Sequence, residues 1–290
     1  VLVLGSMAFG WLRSALPDDW KNDRLVIAED SGARYVSVKG VLHPVVNTVS
    51  ARLLIPSDRF KVLAVPDEEL ADLRRGPTLG ILGAPDSLAP ADRLVDTGWV
   101  SCLGAGQQVS TAIGPSRRAD AADGAALVVR SGTRAFVVGH GMRYPVAAKD
   151  LSAVEPQRTA PTDWPDALPT PLETTPCATL TTAPGTPPAV SLATVTADPP
   201  EAERGRTTVD TGYGALVRAV SGQVLGKGPV LAVDQTATAY SVVGADSEVL
   251  ARLGYADDDV VPVPVAWTEL FRSGPALGTD AARTVVSGTS

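Results

Sequence analysis

Internal repetition constrains this chain more than any other feature. Leu25-Val26-Ile27 runs through Asp30-Ser31-Gly32 into Arg34-Tyr35-Val36-Ser37-Val38. Leu127-Val128-Val129 runs through Ser131-Gly132 into Arg134-Ala135-Phe136-Val137-Val138, and Val230-Leu231-Ala232-Val233 through Asp234-Gln235 into Ala239-Tyr240-Ser241-Val242-Val243. Each is a β-branched run, a polar turn and a second run with an aromatic, the pattern of a hairpin. The copies begin at residues 25, 127 and 230, a spacing far beyond the roughly 20 to 50 residues of solenoid repeats. The pattern therefore predicts repeated small domains.

Short helices are predicted after the hairpins. Pro66-Asp67-Glu68-Glu69-Leu70 has acids at its start, and Arg74-Arg75-Gly76-Pro77 supplies bases and then stops. Asp246 is placed to cap a helix through Glu248, Val249 and Leu250 that ends at Leu253-Gly254. A third helix is predicted over 41–55, with Pro44 in its first turn and Val45, Val49 and Leu53 on one stripe. With 27 Gly, 24 Pro and 5% aromatic residues, turns and short strands are favoured over a helical bundle.

Between Glu155 and Glu201 there are eleven prolines, a linker composition. Cys177 lies inside it. Two cysteines are too few for a disulfide-dense scaffold, and two readings stay open: a Cys102 to Cys177 bond in an oxidising compartment, or two separate reduced thiols. A bond would order part of the Pro-rich stretch and remove about 4 kcal/mol of unfolded-chain freedom on the chain-entropy account.

The first twelve residues, Val1 to Leu12, are uncharged, and Trp11, Arg13, Asp18, Asp19 and Trp20 follow as an aromatic and charged flank. As a helix they would span about 18 Å against a hydrocarbon core of about 30 Å, so they are expected to be the last part of a transmembrane helix. The bland alternative is a buried N-terminal element. A net charge of −7 leaves no basic excess for nucleic acid.

Little in the sequence advertises chemistry. The histidines, His43 and His140, have no carboxylate or serine at motif spacing, and a structural role is expected for both. There is no Cys-x-x-Cys or His-x-x-x-His pair, no Gly-x-Ser-x-Gly elbow and no Gly-x-Gly-x-x-Gly run. Gly222-Gln223-Val224-Leu225-Gly226-Lys227-Gly228 approaches a phosphate-binding loop. It is one residue short between its glycines and has Gly228 where the magnesium-binding hydroxyl belongs, so it reads as a strand connection. Arg74-Arg75 and Arg117-Arg118 read as solvated surface pairs. No catalytic residue, metal ligand or cofactor is predicted, and a cofactor-binding site is not defined.

Several blocks resemble a known family. Ser31-Gly32-Ala33-Arg34-Tyr35-Val36, Gly40-Val41-Leu42-His43-Pro44-Val45-Val46-Asn47 and Ser50-Ala51-Arg52-Leu53-Leu54 are similar to EccB, a membrane core component of the mycobacterial type VII (ESX) secretion machinery. Arg75-Gly76-Pro77, Gly80 to Asp86, Tyr144-Pro145-Val146, Leu253-Gly254-Tyr255, Pro262-Val263-Pro264 and Ser273 to Leu277 continue the resemblance in order. Thr238-Ala239-Tyr240-Ser241 departs from the family's Gly-Val-Arg-Tyr-Pro-like run. The resemblance implies an elongated α+β extracytoplasmic part, with small strand-strand-helix modules around a central β-rich domain that holds a disulfide, carried on a single-pass inner-membrane helix. The expected domains are 1–16 (end of the anchor), 17–95 (first module), 96–125 (central domain), 126–156 (second module), 157–213 (Pro-rich central part) and 214–290 (C-terminal modules and tail). It further implies a structural subunit that self-associates and assembles with EccC, EccD, EccE and MycP. Two alternatives are an ATP-hydrolysing subunit of the same complex, since family members are described as ATPases, and a cell-wall-binding module.

Overall fold

The computed structural model describes residues 16–122, 125–139, 142–146, 174–196, 200–222 and 224–286. Residues 1–15 of the expected 1–16 anchor, His140 and the first half of the Pro-rich stretch lie outside the described residues. The chain divides into two compact units, one holding residues 16–88, 240–257 and 274–286, the other 89–239 and 258–273.

The first unit begins with β1 (Leu25–Ala28), β2 (Arg34–Val38) and β3 (Val41–Pro44), then α1 (Thr48–Leu54), β4 (Val62–Val65) and α2 (Asp67–Leu70). β1 to β3 form an antiparallel meander, and β4 returns parallel to β1, giving the order β3-β2-β1-β4. Lys39 and Gly40, at φ 50° and 70°, make the two-residue turn between β2 and β3. Positive φ at both central residues matches the twist of the flanking strands. The sheet is covered on both faces. Val26, Leu42, Leu63, Val65 and Leu70 pack with Trp20 and Tyr35 on one side, and Leu25, Val36, Ala51 and Ile55 on the other. At about 2 kcal/mol per fully buried large aliphatic side chain, these layers supply most of the unit's stabilisation.

Two helix predictions are corrected here. The stretch 41–55 is a strand followed by a shorter helix, because His43 precedes a proline and is held extended. The helix then waits for Asn47, whose side chain accepts from Ser50 N at 2.9 Å. α2 stops at Leu70, and Arg75 is extended beside Leu42. The basic residues Arg74 and Arg75 therefore do not end a helix.

The second unit contains β5 (Trp99–Leu103), β6 (Val109–Ile113), β7 (Asp120–Ala121), β8 (Leu127–Ser131), β9 (Arg134–Gly139), β10 (Met142–Val146), β11 (Thr175–Ala183), β12 (Thr186–Val195) and β13 (Thr207–Val209). β8 to β10 form a three-stranded antiparallel sheet. The other strands form a six-stranded sheet in the order β13-β6-β5-β11-β12-β7. The second half of the Pro-rich stretch is thus the pair β11 and β12, not a linker. Threonine and β-branched residues outweigh the prolines there, and Pro187 and Pro188 sit where β12 has lost its outer neighbour, since β7 pairs only with Ala193 and Thr194. Trp99 anchors the core of this unit, edge-on to Trp267 at 6.2 Å and Phe271 at 6.0 Å, with its indole N–H donating to Val95 O.

The chain continues through β14 (Ala215–Val220), β15 (Val230–Val233), β16 (Thr238–Val242), α3 (Ser247–Leu253), β17 (Val261–Pro264), α4 (Val265–Thr268), β18 (Arg272–Ser273) and α5 (Thr279–Ala282). The sheet order β17-β14-β15-β16-β18 has β14 antiparallel to β15 and parallel to β17. This reproduces the first module strand for strand, with β14, β15, β16, α3 and β17 in the places of β1, β2, β3, α1 and β4. The repeat seen in the sequence is real but one strand out of phase, because Val230 to Val243 is the second and third strand of its module. Asp246 caps α3 through Val249 N at 2.9 Å, and Gly254 closes it at φ 95°.

Candidate functional site

Within the first unit the two equivalent helices meet. Arg252 on α3 donates to Leu53 O at the end of α1 (2.7 Å) and holds Glu248 at 2.8 Å, while Glu248 accepts from Ser57 Oγ at 3.0 Å. The Arg252 guanidinium, hydrogen-bonded to the carboxylate, holds the Glu248 carboxyl below the usual range, and Ser57 adds to the effect. Arg52 lies over the Phe60 ring at 4.6 Å. α5 also packs on α1, and the tail adds backbone bonds from Gly80 N to Thr284 O and from Val286 N to Thr78 O. The start and the end of the described chain therefore close one unit together.

The loop after α2 is fixed to α1 by buried polar groups. Asn47, 5% exposed, donates to Ile81 O (2.8 Å) and Ala84 O (3.3 Å) and accepts from both Ser50 N and Ser50 Oγ. Asp86 accepts from Arg34 at 2.6 Å and from Thr48 N. The Asn47, Ser50 and Gly80-to-Asp86 blocks of the sequence are thus one structural knot.

In the second unit, Cys102 and Cys177 face each other on β5 and β11 and are joined by a disulfide, their Cα atoms 4.0 Å apart. They are buried with Val100 and Ala193 on the sheet face opposite Trp99. A shallow cleft of about 160 Å³ opens over Val100, Cys102 and Ser110, rimmed by Arg117, Arg118 and Glu203. Arg117 is no solvated charge. Its guanidinium donates to both Glu203 oxygens at 3.2 Å and to Asp210 at 2.9 Å. Burial works against its charge, but the hydrogen bonds to Glu203 and Asp210 outweigh burial and raise its pKa further. Arg118 is exposed and donates to local carbonyls, those of Pro115 and Arg117. The sequence carried no signal for the Arg117 ion pairs, whose partners lie 86 and 93 residues away.

The remaining candidates are scattered. His43 is on β3, its Nδ1 3.2 Å from Pro77 O, with its ring against Gly76, where an added Cβ would meet the ring at 2.2 Å. Arg75 stacks on Tyr35 at 4.4 Å and donates to Leu70 O. Lys227 is exposed in the connection from β14 to β15. There Gly228 (φ 129°) approaches so closely that a Cβ would stand 1.8 Å from Ala219 O, so this glycine serves strand packing. Among the described residues no group of three or more His, Cys, Asp or Glu is placed to hold a metal, and no helix is long and apolar enough to cross a membrane.

Comparison with known proteins gives these features a family. The sequence matches the EccB family, described as type VII secretion system ESX-1, transport TM domain B, over residues 1–171 and 143–289. The chain belongs to this family. An "ESX-5 secretion system ATPase EccB5" of Mycobacterium marinum is 29% identical over 192 residues, 58% of this chain and 36% of that protein. An "ESX-3 secretion system ATPase EccB3" of Mycobacterium tuberculosis is 31% identical over 163 residues, 51% of this chain and 29% of that protein. The match thus spans about a third of the length of these relatives. The fold is that of a chain in the periplasmic assembly from the ESX-5 inner membrane complex, with TM-score 0.63 and 16% identity over 95% of this chain and 99% of that one. It is equally that of the EccB3 dimer from the ESX-3 core complex, with TM-score 0.64 and 19% identity over 90% of this chain and 99% of that one. The α+β class expected from the sequence is the class observed.

Proposed function

We propose that this EccB-family chain is a structural subunit of a type VII secretion membrane complex, working as an extracytoplasmic platform for assembly. The observation that supports it most is the module repeated in one topology, whose equivalent helices α1 and α3 are joined through Arg252, Leu53 O and Glu248. Such a unit spends its polar residues on internal connections and offers sheet edges outward, which suits association with copies and neighbours. The disulfide agrees with an oxidising, extracytoplasmic location. In this reading a single N-terminal helix ties the chain to the inner membrane, and its partners are further copies together with EccC, EccD, EccE and MycP.

The rival is ATP hydrolysis, which the names of the relatives carry. Two measurements separate the readings. Native electrophoresis of the solubilised membrane complex, with this chain present or deleted, reports on assembly; an unchanged complex without it would overturn the structural role. ATP turnover of the purified chain and its Lys227→Ala variant reports on hydrolysis. Equal background rates are expected, and robust turnover abolished by the variant would establish the rival.

A further inference from the structure

We propose that the cleft beside the disulfide is a thiol-exchange site, in which a low-molecular-weight thiol attacks Cys102 and releases Cys177.

The sheet registers set the line of attack. Cys177 on β11 stands opposite Cys102 on β5, and Cys102 stands opposite Ser110 on β6. The three residues form one row across neighbouring strands, with the disulfide between the first two. Directly opposed residues of antiparallel strands share a face, so Ser110 lies beyond Cys102 on the side away from Cys177. Thiol–disulfide exchange begins with a thiolate approaching one sulfur along the extension of the bond that breaks, and its rate depends on which sulfur is accessible. The cleft of about 160 Å³ lies at that end of the row, lined by Val100 and Cys102 of β5 and by their opposites Ala112 and Ser110 of β6. Cys102, 5% exposed, is a wall of the cleft, whereas Cys177, 3% exposed, is not. At the other end of the row Ala193 of β12 stands opposite Cys177 and is buried with it. A thiolate entering the cleft therefore meets Cys102, with Cys177 as the leaving group.

Size and polarity name the class of thiol. A cavity of about 150 Å³ holds a six-carbon ring, so this cleft takes a molecule of about seven non-hydrogen atoms, the size of free cysteine and well below a tripeptide thiol. Glu203 and Asp210 hold Arg117, while Arg118 stands exposed at the mouth. A cation there favours the thiolate, which is the attacking form. As the new bond to Cys102 Sγ forms, the bond between Cys102 and Cys177 breaks, and its electron pair leaves on Cys177 Sγ. That thiolate takes up a proton in place of the one the incoming thiol released. One disulfide replaces another, so no oxidant is required. A second thiol molecule attacking the mixed disulfide would leave both cysteines reduced and depart as the oxidised pair. The covalent tie between β5 and β11 is thereby opened from one side.

The test exposes the full oxidised chain briefly to cysteine in native buffer, followed by acid quench, alkylation and peptide mass mapping. Cysteinylated Cys102 with alkylated Cys177 is expected to exceed the reverse pattern by about tenfold or more. Glutathione, scaled by its rate on an exposed model disulfide, is expected to react about tenfold more slowly than cysteine scaled in the same way. Ala112→Phe, which places a ring in the cleft, is expected to slow capture of cysteine to a similar degree. Calorimetry checks that this variant keeps its fold, and the preferences for sulfur and for thiol size are read on the native chain without it. Capture at Cys177, capture at both sulfurs equally, reaction only in urea, or indifference to thiol size would overturn the exchange site. A folded Ala112→Phe chain that reacts as fast as the native one would overturn the cleft as its route.

Discussion

Removing the disulfide gives the most quantitative test of how the second unit is held together. Cys102 and Cys177 are 75 residues apart, and the closed loop contains the β6 to β10 segment and the strand entry to β11. On the chain-entropy account a loop of this length restricts the unfolded ensemble by about 4.5 kcal/mol. The bond also lies buried with Val100 and Ala193, so a Cys102→Ala/Cys177→Ala variant loses the packing of two sulfur atoms, about another 1 kcal/mol. Alanine is chosen so that no unpaired hydroxyl is buried in their place. The total, about 5.5 kcal/mol, corresponds to a fall in the melting temperature of this unit by about 11–22 °C. Differential scanning calorimetry of the oxidised chain and the double variant measures it, and amide exchange along β5 and β11 locates it. A shift under about 3 °C, or lost protection confined to other strands, would show that the cross-link does not hold this sheet together.

Two further outcomes follow from the first unit. Asn47→Ala removes an N-cap worth about 1 kcal/mol and the side-chain hydrogen bonds to Ala84 O, which is half-buried, and to Ile81 O, which keeps its bond from Ala84 N. At about 1 kcal/mol for each of these two bonds, a loss of about 3 kcal/mol in urea unfolding is expected, and a cost near that of a simple exposed cap would refute the knot. The Glu248 carboxyl is held below the ordinary range in the folded chain, so its contribution exists above the carboxylate range and is lost as pH falls through the folded value. The stability gap between the native chain and Glu248→Gln should therefore be present at pH 7 and shrink as pH falls below the ordinary carboxylate range. A gap that widens on acidification would reverse the sign.

The hairpins were legible because their signal is local. A period-2 run, a glycine or Asx turn and another period-2 run are all contained within about fifteen residues, and all three predicted hairpins are adjacent strands in the fold. The phase of the third was not legible for the same reason. Any two neighbouring strands with a tight turn look alike, and what distinguishes β1 and β14 is a parallel partner, β4 or β17, contributed from beyond the helix. The stripe of Val45, Val49 and Leu53 likewise fits a helix by spacing. Only the extended residue before Pro44 and the cap at Asn47 divide it into a strand and a shorter helix. The Pro-rich stretch misled by averaging, since its composition is that of a linker while its threonines and Cys177 are placed to pair with β5.

The polar connections were the least legible part, and the reason is distance along the chain. Arg252 reaches Leu53 O across 199 residues, and Arg117 reaches Asp210 across 93. Neither pairing follows from residue type, because an arginine beside another arginine is compatible equally with solvent and with a distant carboxylate. What the sequence does record is the consequence of such contacts at each end. Asn47 and Asp246 occupy equivalent caps, and Ser50 and Val249, like Ala51 and Leu250, equivalent buried positions on the two helices. The cap and burial positions are kept wherever the module must fold. The arginines stand at different places, Arg52 five residues after its cap and lying on Phe60, Arg252 six residues after its cap and bonding across to α1. A module that keeps its cap and buried helix positions and varies its helix surface thereby joins two copies of itself within one chain.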